Sequence, residues 1–244
     1  MFGGFYNAEA LYESVLELKK TYVVCKNDTV FWEELYSFYP YVGRLTPMHF
    51  AEHLTEKCGG AKIYLKREDL CHTMACAGGG GNTIGMFHPF IKNKSVRLVS
   101  AEAAGDGVDT SRNSATISAG APGVFHGAKM YLLQDKKGQV MKTRYIVAGL
   151  NYPDVAPENL WLKSTDRAEH HAVTDAQALE GFCCLAELED IIPSLKASHT
   201  VCQAMQVASV MTSDELLVIY VSGNDDKDLD TIAEVLPAID PQIE

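Results

Sequence analysis

Four consecutive glycines followed by Asn82 form the stretch of this sequence best suited to hold an anion. A short apolar run precedes them, and an apolar helical pattern through Ile84, Phe87 and Ile91 follows. The order of strand, glycine loop and helix brings backbone N–H groups and the positive end of a helix dipole to a phosphate. A flexible linker is the alternative, but a linker is not expected between two apolar elements. The run matches neither G-x-x-x-x-G-K-[ST] nor G-x-G-x-x-G, so support for a nucleotide site is weak.

A second polar turn, Ser222–Asp228, follows the apolar run Glu215–Val221. From Met74 onward, apolar strands and helices largely alternate, which predicts an α/β fold with a parallel sheet flanked by helices on both faces. Ligands of such sheets bind beyond the carboxyl ends of the strands. The glycine run and the Ser222 turn both take that position.

Periodicity and capping signals place the elements that position these turns. They predict helices over residues 10–22, 29–38, 47–58 (capped by Thr46), 82–90, 174–188, 198–208 and 229–236. They predict strands over residues 61–65, 95–101, 170–173 and 215–221 and a loop over 102–121. A hairpin is predicted for Lys129–Gln134 and Gln139–Val147. The apolar stripes of the first two helices are expected in the core: Leu11, Val15, Leu18, Tyr22, Phe31, Leu35 and Phe38.

The amino-acid composition limits the classes of protein to which this chain can belong. With 244 residues, 47% hydrophobic and 22% charged, the chain is expected to be soluble and globular, with one or two domains. A net charge of −11 argues against nucleic-acid binding. No apolar run reaches the ~18 residues of a membrane span, and the N-terminus lacks signal-peptide features. Seven cysteines without framework spacing predict reduced thiols and a cytoplasmic location.

Other catalytic signatures are missing from the sequence. There is no G-x-S-x-G elbow and no H-E-x-x-H metal site. The adjacent His170 and His171 could ligate a metal, but such pairs are more often structural or exposed.

Segments along nearly the whole chain resemble the β chain of tryptophan synthase, a pyridoxal-phosphate (PLP) enzyme of type II fold, and are most similar to the fungal forms. They occur in the order of that family. They are Phe2–Tyr6, Phe31–Glu34, Tyr39–Tyr41, Gly43–Pro47, Tyr64–Leu70, His72–Thr73, the glycine run with Asn82, Gly123–Gly127, Tyr131–Gln134, Ala148–Pro153, Ile191–Pro193, Ser198–His199, Ser222–Gly223 and Asp226–Asp228.

The resemblance implies the condensation of indole with L-serine to L-tryptophan, with PLP as cofactor. It implies an α subunit or α domain and a β homodimer as partners. Ser222 would face the pyridine nitrogen, and a monovalent-cation site would involve Gly78, Tyr152 and Asp154. The cofactor phosphate would be held by Gly78, Gly79, Gly80, Gly81 and Asn82.

The resemblance breaks after Thr73. The family continues there with Gly-[AS]-His-Lys, whose lysine carries the cofactor as a Schiff base, whereas here Met74-Ala-Cys76 and the glycine run follow directly. A segment the size of a subdomain is absent, so covalent attachment of PLP is not expected. This divides the chain into an N-terminal remnant (1–73) and a C-terminal α/β domain (74–244).

Single residues depart as well. The family's Glu before Ser-Ser-His is Lys196 here, its Gly-Leu-Asp is Gly-Leu-Asn151, and its Ser-Gly-Arg-Gly is Ser-Gly-Asn224-Asp225. The Lys196 amine could replace the missing lysine, and the alternative is an exposed lysine at a helix start.

Three hypotheses therefore remain open for the function of the chain. It is an active tryptophan synthase β chain, a non-catalytic PLP- or phosphate-binding scaffold, or a defective fragment from a gene model or splice variant. Serine-dependent indole consumption, PLP binding and a cooperative melt distinguish them.

Overall fold

A computed structural model describes residues 2–4, 6, 8–40, 43–67, 80–144, 146, 153–223 and 228–239. The helices are α1 (Tyr12–Lys26), α2 (Thr29–Ser37), α3 (Glu52–Cys58), α4 (Gly81–Phe87), α5 (Thr116–Ala119), α6 (Pro157–Ser164), α7 (Asp175–Glu189), α8 (Leu195–Ser209) and α9 (Leu229–Ile239). The strands are β1 (Met48–Phe50), β2 (Lys62–Arg67), β3 (Val99–Ala103), β4 (Ala121–Phe125), β5 (Ala128–Leu132), β6 (Asp154–Val155), β7 (Glu169–Val173) and β8 (Leu216–Val221).

These strands form three small sheets within the described residues. The first has the order β1-β2-β8, with β2 and β8 parallel, and the second is the parallel pair β3-β7. The third, β4-β5-β6, is antiparallel. The predicted α/β class with parallel strands and flanking helices is confirmed, and its parallel strands lie in two separate sheets.

The largest core packs α3, α7 and α8 against β2 and β8. Ile63, Leu185, Val201 and Ile219 are among its fully buried side chains. It joins residues on both sides of the predicted domain boundary at 73/74, which itself lies outside the described residues. The division into two domains stays a prediction.

Helix α7 begins at the predicted capping box. The Thr174 hydroxyl accepts from the Gln177 backbone N–H, and the Gln177 side chain accepts from the Thr174 backbone N–H. Asp28 likewise caps α2 through the Val30 N–H at 2.9 Å. These caps satisfy N–H groups that lack partners within the helix, which is why the sequence predicts the starts of these two helices well.

The first two helices form as predicted, but the prediction that their stripes are core was wrong. Neither α1 nor α2 has a buried residue, and Leu18 and Tyr22 are about two-thirds exposed. Periodicity predicts a helix and its apolar side, but it does not say what covers that side.

Three other predicted elements differ in the structure. The third helix begins at Glu52 rather than at Pro47 after a Thr46 cap, because Met48–Phe50 pair with β2 as a strand. The predicted strand at 95–101 is shifted to Val99–Ala103, which takes the first residues of the predicted loop. The hairpin is β4-β5, and Gln134 and Val140 form only an isolated bridge.

Candidate functional site

A cavity of about 720 Å³ lies between β3, β8, α4 and α8. Its lining includes Gly80 and Asn82 from the glycine run, Lys196 from α8 and Ser222 from the turn after β8. We call these four residues the polar end of the cavity. Residues predicted from separate parts of the sequence thus line one space.

Gly80 has a backbone conformation that only glycine adopts without strain. Its φ is +85°, and a Cβ there would lie 2.4 Å from Asn159 Nδ2. The same amide nitrogen donates to the Gly80 carbonyl oxygen at 3.2 Å. Gly81 begins α4. Gly78 and Gly79 lie outside the described residues, so only the second half of the glycine run can be placed.

A hydrogen bond joins the segment that carries Lys196 to the segment that carries Ser222. Ser194 caps α8, and its hydroxyl donates to the Ser222 carbonyl oxygen at 2.6 Å. The Leu195 N–H donates to Asp228 Oδ2 at 2.9 Å. Helix α8 therefore begins at Leu195, before the predicted start at Ser198, because Ser194 supplies the cap. Lys196 lies in its first turn, partly buried, and is not the exposed lysine of the alternative interpretation.

His199 lines the cavity one helical turn beyond Lys196. Its ring is almost fully buried, and its Nδ1 lies 2.8 Å from the Leu195 carbonyl oxygen. Burial lowers the pKa of His199 to about 4, so the imidazole is neutral at pH 7. The sequence offered one signal for this position, since residues 196, 199, 200 and 203 share a helix face.

Glu102 was predicted to lie in a loop, but it is a buried residue of β3 and lines the cavity. Its carboxylate accepts from the Ile117 N–H at 2.6 Å and from the Ser118 N–H at 2.9 Å. Burial raises the pKa of Glu102, and these hydrogen bonds oppose the rise. The carboxylate therefore holds the start of α5 against β3.

His170 and His171 lie side by side in β7 and have separate surroundings. His170 Nδ1 lies 2.6 Å from Ser100 Oγ, and burial lowers the pKa of His170 to about 4. His171 instead lies 3.4 Å from Glu169. Within the described parts of the chain, no group of three or more His, Cys, Asp or Glu side chains could hold a metal.

The predicted cation site can be placed only in part. Asp154 is in β6, and its Oδ1 is buried with no hydrogen-bond partner in the described structure. Burial raises the pKa of Asp154, and His126 opposes the rise. Gly78 and Tyr152 lie outside the described residues. The monovalent-cation site stays a prediction.

Comparison with known proteins gives a match that spans the chain. Tryptophan synthase of Saccharomyces cerevisiae is 34% identical over 387 residues, which cover 99% of this chain and 55% of the relative. The chain is a relative of tryptophan synthase. The predicted resemblance is confirmed at that level, and the chain spans about half the length of the relative.

The length of the match is informative in itself. The matched span is 387 residues, whereas this tryptophan synthase relative has 244. The yeast protein therefore carries more than a hundred residues within the span that have no counterpart here.

The other comparisons add little. The structure of an L-serine ammonia-lyase from the fungus Rhizomucor miehei overlaps with a TM-score of 0.46 and 16% identity, over 75% of this chain and 52% of that one. No protein-family profile matches the chain. None of the described helices is long and apolar enough to cross a membrane.

The residues at the polar end fit a phosphorylated aromatic aldehyde such as PLP. Asn82 and Ser222 bring polar side chains to the cavity, and Lys196 adds a positive charge. The remaining lining includes apolar side chains of α4 and β3, among them Phe87 and Val99. A ligand that carries an anionic group on an aromatic ring matches a cavity with polar residues at one end and apolar residues along its walls.

Proposed function

We propose that this chain is a tryptophan synthase β-type scaffold that binds PLP without a covalent bond and does not by itself make tryptophan. The observation that carries the proposal is the convergence of Gly80, Asn82 and Ser222 on one cavity. Ser222 is 140 positions from Asn82 in the sequence. Their common location supports a retained binding site for the cofactor.

Each residue of the polar end has a proposed part in binding. Asn82 and the backbone of Gly80 and Gly81 hold the phosphate, together with Gly78 and Gly79, which lie outside the described residues. Ser222 lies against the pyridine ring, and Lys196 attracts the dianion. When bound, PLP would supply an electron sink for amino-acid chemistry. The low pKa of His199 leaves its imidazole neutral at pH 7, so the ring forms part of the cavity wall and adds no positive charge to the site.

Catalysis is proposed to be lost with the lysine that the family places after His-Thr. Thr73 is followed here by Met74, and the yeast relative has more than a hundred additional residues within the matched span. Without that amine, the covalent chemistry of the family lacks its starting state. The departures at Lys196 and Asn151 support the same conclusion, because both alter charge where the family has a carboxylate.

The remaining assignments are proposals from the resemblance. They are a cytoplasmic location, a monovalent cation near Asp154, and association with an α subunit or with a second β chain. Five described cysteines are free thiols, which is compatible with a reducing compartment.

The test is equilibrium dialysis of the purified chain with PLP and, in parallel, with pyridoxal, which lacks the phosphate. We expect saturable binding of PLP, weaker binding of pyridoxal, and weaker PLP binding by Ser222→Ala. Borohydride treatment should leave the protein unlabelled, and serine-dependent indole consumption should stay at the background rate. Absence of saturable PLP binding would refute the proposal, and a pyridoxyl-labelled lysine would refute its non-covalent part.

The third hypothesis, a defective fragment, has its own discriminating measurement. The large core around Leu185, Val201 and Ile219 supports a folded body. A cooperative thermal transition is then expected. A chain that melts without cooperativity would favour the fragment hypothesis, and long reads of the transcript across the Thr73–Met74 junction would show whether the missing segment is encoded.

A further inference from the structure

A buried side chain of α6 contacts the backbone of the glycine run. Asn159 is 1% exposed, and its Nδ2 donates to the Gly80 carbonyl oxygen at 3.2 Å. The Asn159 N–H itself donates to the Ala156 carbonyl oxygen at 3.1 Å, which fixes the residue in the first turn of α6. Because Gly80 and Asn159 are 79 positions apart in the sequence, their contact forms only in the folded chain.

The Gly80 carbonyl oxygen also accepts from a second donor. The Ile84 N–H reaches it at 3.0 Å, as the first backbone hydrogen bond of α4. A carbonyl oxygen has two lone pairs, and here the helix uses one and Asn159 uses the other. A peptide unit is planar and trans, so its N–H points opposite to its C=O. The two donors therefore also fix the direction of the Gly81 N–H, which points away from the body of α4.

This peptide unit needs such fixing because it lies between two glycines. Neither Gly80 nor Gly81 has a Cβ that would restrict rotation of the peptide plane. The Gly81 N–H has no acceptor within its own helix, because the first N–H groups of a helix lack one. It lies between Gly80 and Asn82, which both line the cavity. The direction of this N–H therefore decides whether it can donate to a ligand.

Other residues hold α4 against α6. Leu162 of α6 is fully buried, and it packs with Phe87 and Ile84 of α4. This apolar contact determines where α4 lies. The hydrogen bond from Asn159 instead acts on a single peptide unit at the start of the helix, so packing and orientation depend on different residues of α6.

The Asn159 amide has a cost in stability. Its Oδ1 is buried and has no hydrogen-bond partner among the residues that the structure describes. The amide cannot turn over to relieve this, because Oδ1 would then face the Gly80 carbonyl oxygen, which is also an acceptor. A buried acceptor without a donor is destabilising. Leucine has the same branched shape without polar atoms, so packing alone does not account for an amide at this position.

We propose that Asn159 is a positioning residue for the phosphate end of the cofactor site. It holds the Gly80–Gly81 peptide so that the Gly81 N–H is directed at the phosphate before PLP binds, and it lowers the stability of the chain in doing so. Donors that are already oriented bind an anion more tightly, because less freedom is lost on binding. This inference rests on the proposed function, since it concerns what sets the affinity of that same site for the phosphate group.

The test compares the dissociation constants of PLP and of pyridoxal, measured by equilibrium dialysis with the full chain and with Asn159→Leu. We expect the parent chain to prefer PLP, and we expect this preference to fall at least tenfold in the variant. The loss should lie in the PLP constant, because pyridoxal has no phosphate for the Gly81 N–H to bind. In urea unfolding, the midpoint of Asn159→Leu should equal or exceed that of the parent.

Asn113→Leu is the matched control. Asn113 is also buried, its Nδ2 donates to the Thr110 carbonyl oxygen at 2.7 Å, and its Oδ1 has no partner in the described structure. It lies outside the described lining of the cavity, so this variant should keep the parent's preference for PLP.

A second variant and a second readout cover the case in which leucine does not fit. Asn159→Ser removes the same donor in a smaller side chain, and it should lose the preference for PLP as Asn159→Leu does. The Gly81 amide proton, observed by NMR, should shift downfield when PLP is added to the parent chain. This shift should be at least halved in both Asn159 variants.

The outcomes separate this inference from the proposed function. A parent chain without saturable PLP binding refutes both. A parent chain that prefers PLP, with the same preference in both Asn159 variants, overturns the positioning role and leaves the cofactor site intact. An equal loss of PLP and pyridoxal binding means that the whole cavity has changed, and an equal loss of preference in Asn113→Leu means a general loosening of the fold. Either result also overturns the positioning role.

Discussion

The Ser194 hydroxyl donates to the Ser222 carbonyl oxygen at 2.6 Å and joins the start of α8 to the end of β8. This bond holds Lys196, in the first turn of the helix, at the same cavity as the turn after the strand. The polar end is therefore built on a helix start and a strand end with a common anchor. Substitutions there can be separated into effects on binding and effects on folding.

Gly80→Ala should lower both stability and PLP affinity. The left-handed φ of +85° costs roughly 1–2 kcal/mol for a residue with a Cβ, and that Cβ would lie 2.4 Å from Asn159 Nδ2. Gly85→Ala is the matched control, because it is inside α4 with nothing within 4 Å of the added carbon. It should raise the unfolding free energy by about 0.5–1 kcal/mol. Urea unfolding measures both, and equal effects of the two variants would contradict the argument.

Lys196→Glu should weaken PLP binding about tenfold or more, because it places a carboxylate beside a dianionic phosphate. Lys196→Gln should have a smaller effect of the same sign. Lys92→Glu makes the same charge change at an exposed lysine outside the cavity lining and serves as the control. Dialysis with PLP gives the dissociation constants. If Lys92→Glu weakens binding as much as Lys196→Glu, the effect is one of net charge and not of the polar end.

Stability should fall as the pH falls from about 6.5 toward 4. Burial lowers the pKa of His199 and of His170 to about 4 in the folded chain. The unfolded chain takes up these protons near the ordinary pKa of 6.5, so it binds more protons than the folded chain in this window. Each histidine contributes a slope of up to about 1.4 kcal/mol per pH unit. The hydrogen bond with the Leu195 carbonyl oxygen opposes the lowering of the His199 pKa, and burial of the ring is the larger influence.

The measurement is urea unfolding at several pH values between about 7 and 5. His199→Gln should have a shallower pH dependence than the parent chain, whereas His88→Gln, at an exposed position, should keep the parent slope. A parent chain whose stability does not change across this range would show that neither ring is buried in solution.

Glu102→Ala should destabilise the chain by roughly 2–4 kcal/mol, because it leaves the Ile117 and Ser118 N–H groups and the Ser118 hydroxyl without their acceptor. Glu102→Gln keeps one carbonyl oxygen and should cost less. Thermal unfolding separates the two variants. A Gln variant as unstable as the Ala variant would show that the charge, and not the acceptor geometry, holds α5.

Features that depend on residues close together in the sequence could be predicted, whereas contacts between distant segments could not. Capping residues such as Asp28 and Thr174 act within one helical turn, so their effects can be predicted from neighbouring residues. The hairpin prediction failed because Asp135–Gly138 carries polar turn residues, whereas the actual two-residue turn uses His126 and Gly127, both with positive φ. Such a turn matches the twist of paired strands, and Gly127 was its one local signal.

The candidate site shows the same limit. Gly80, Asn82, Lys196 and Ser222 were each singled out from the sequence, and they line one cavity. Glu102 and His199 were given no role, because their partners Ile117 and Leu195 become evident only once β3 and α8 are placed. Periodicity fixes the face of an element, but the identity of its neighbour depends on the pairing of β2 with β8 and of β3 with β7.

The exposed helices α1 and α2 have a consequence for folding cooperativity. With no buried side chain in either, they share no core with the body of the protein. Isolated helices of 15 and 9 residues are marginal in water, so they open and close without waiting for the sheets to unfold. The two helices therefore behave as a separate unit with its own low free energy of opening, and the cooperative body of the molecule consists of the sheets and the helices that pack on them.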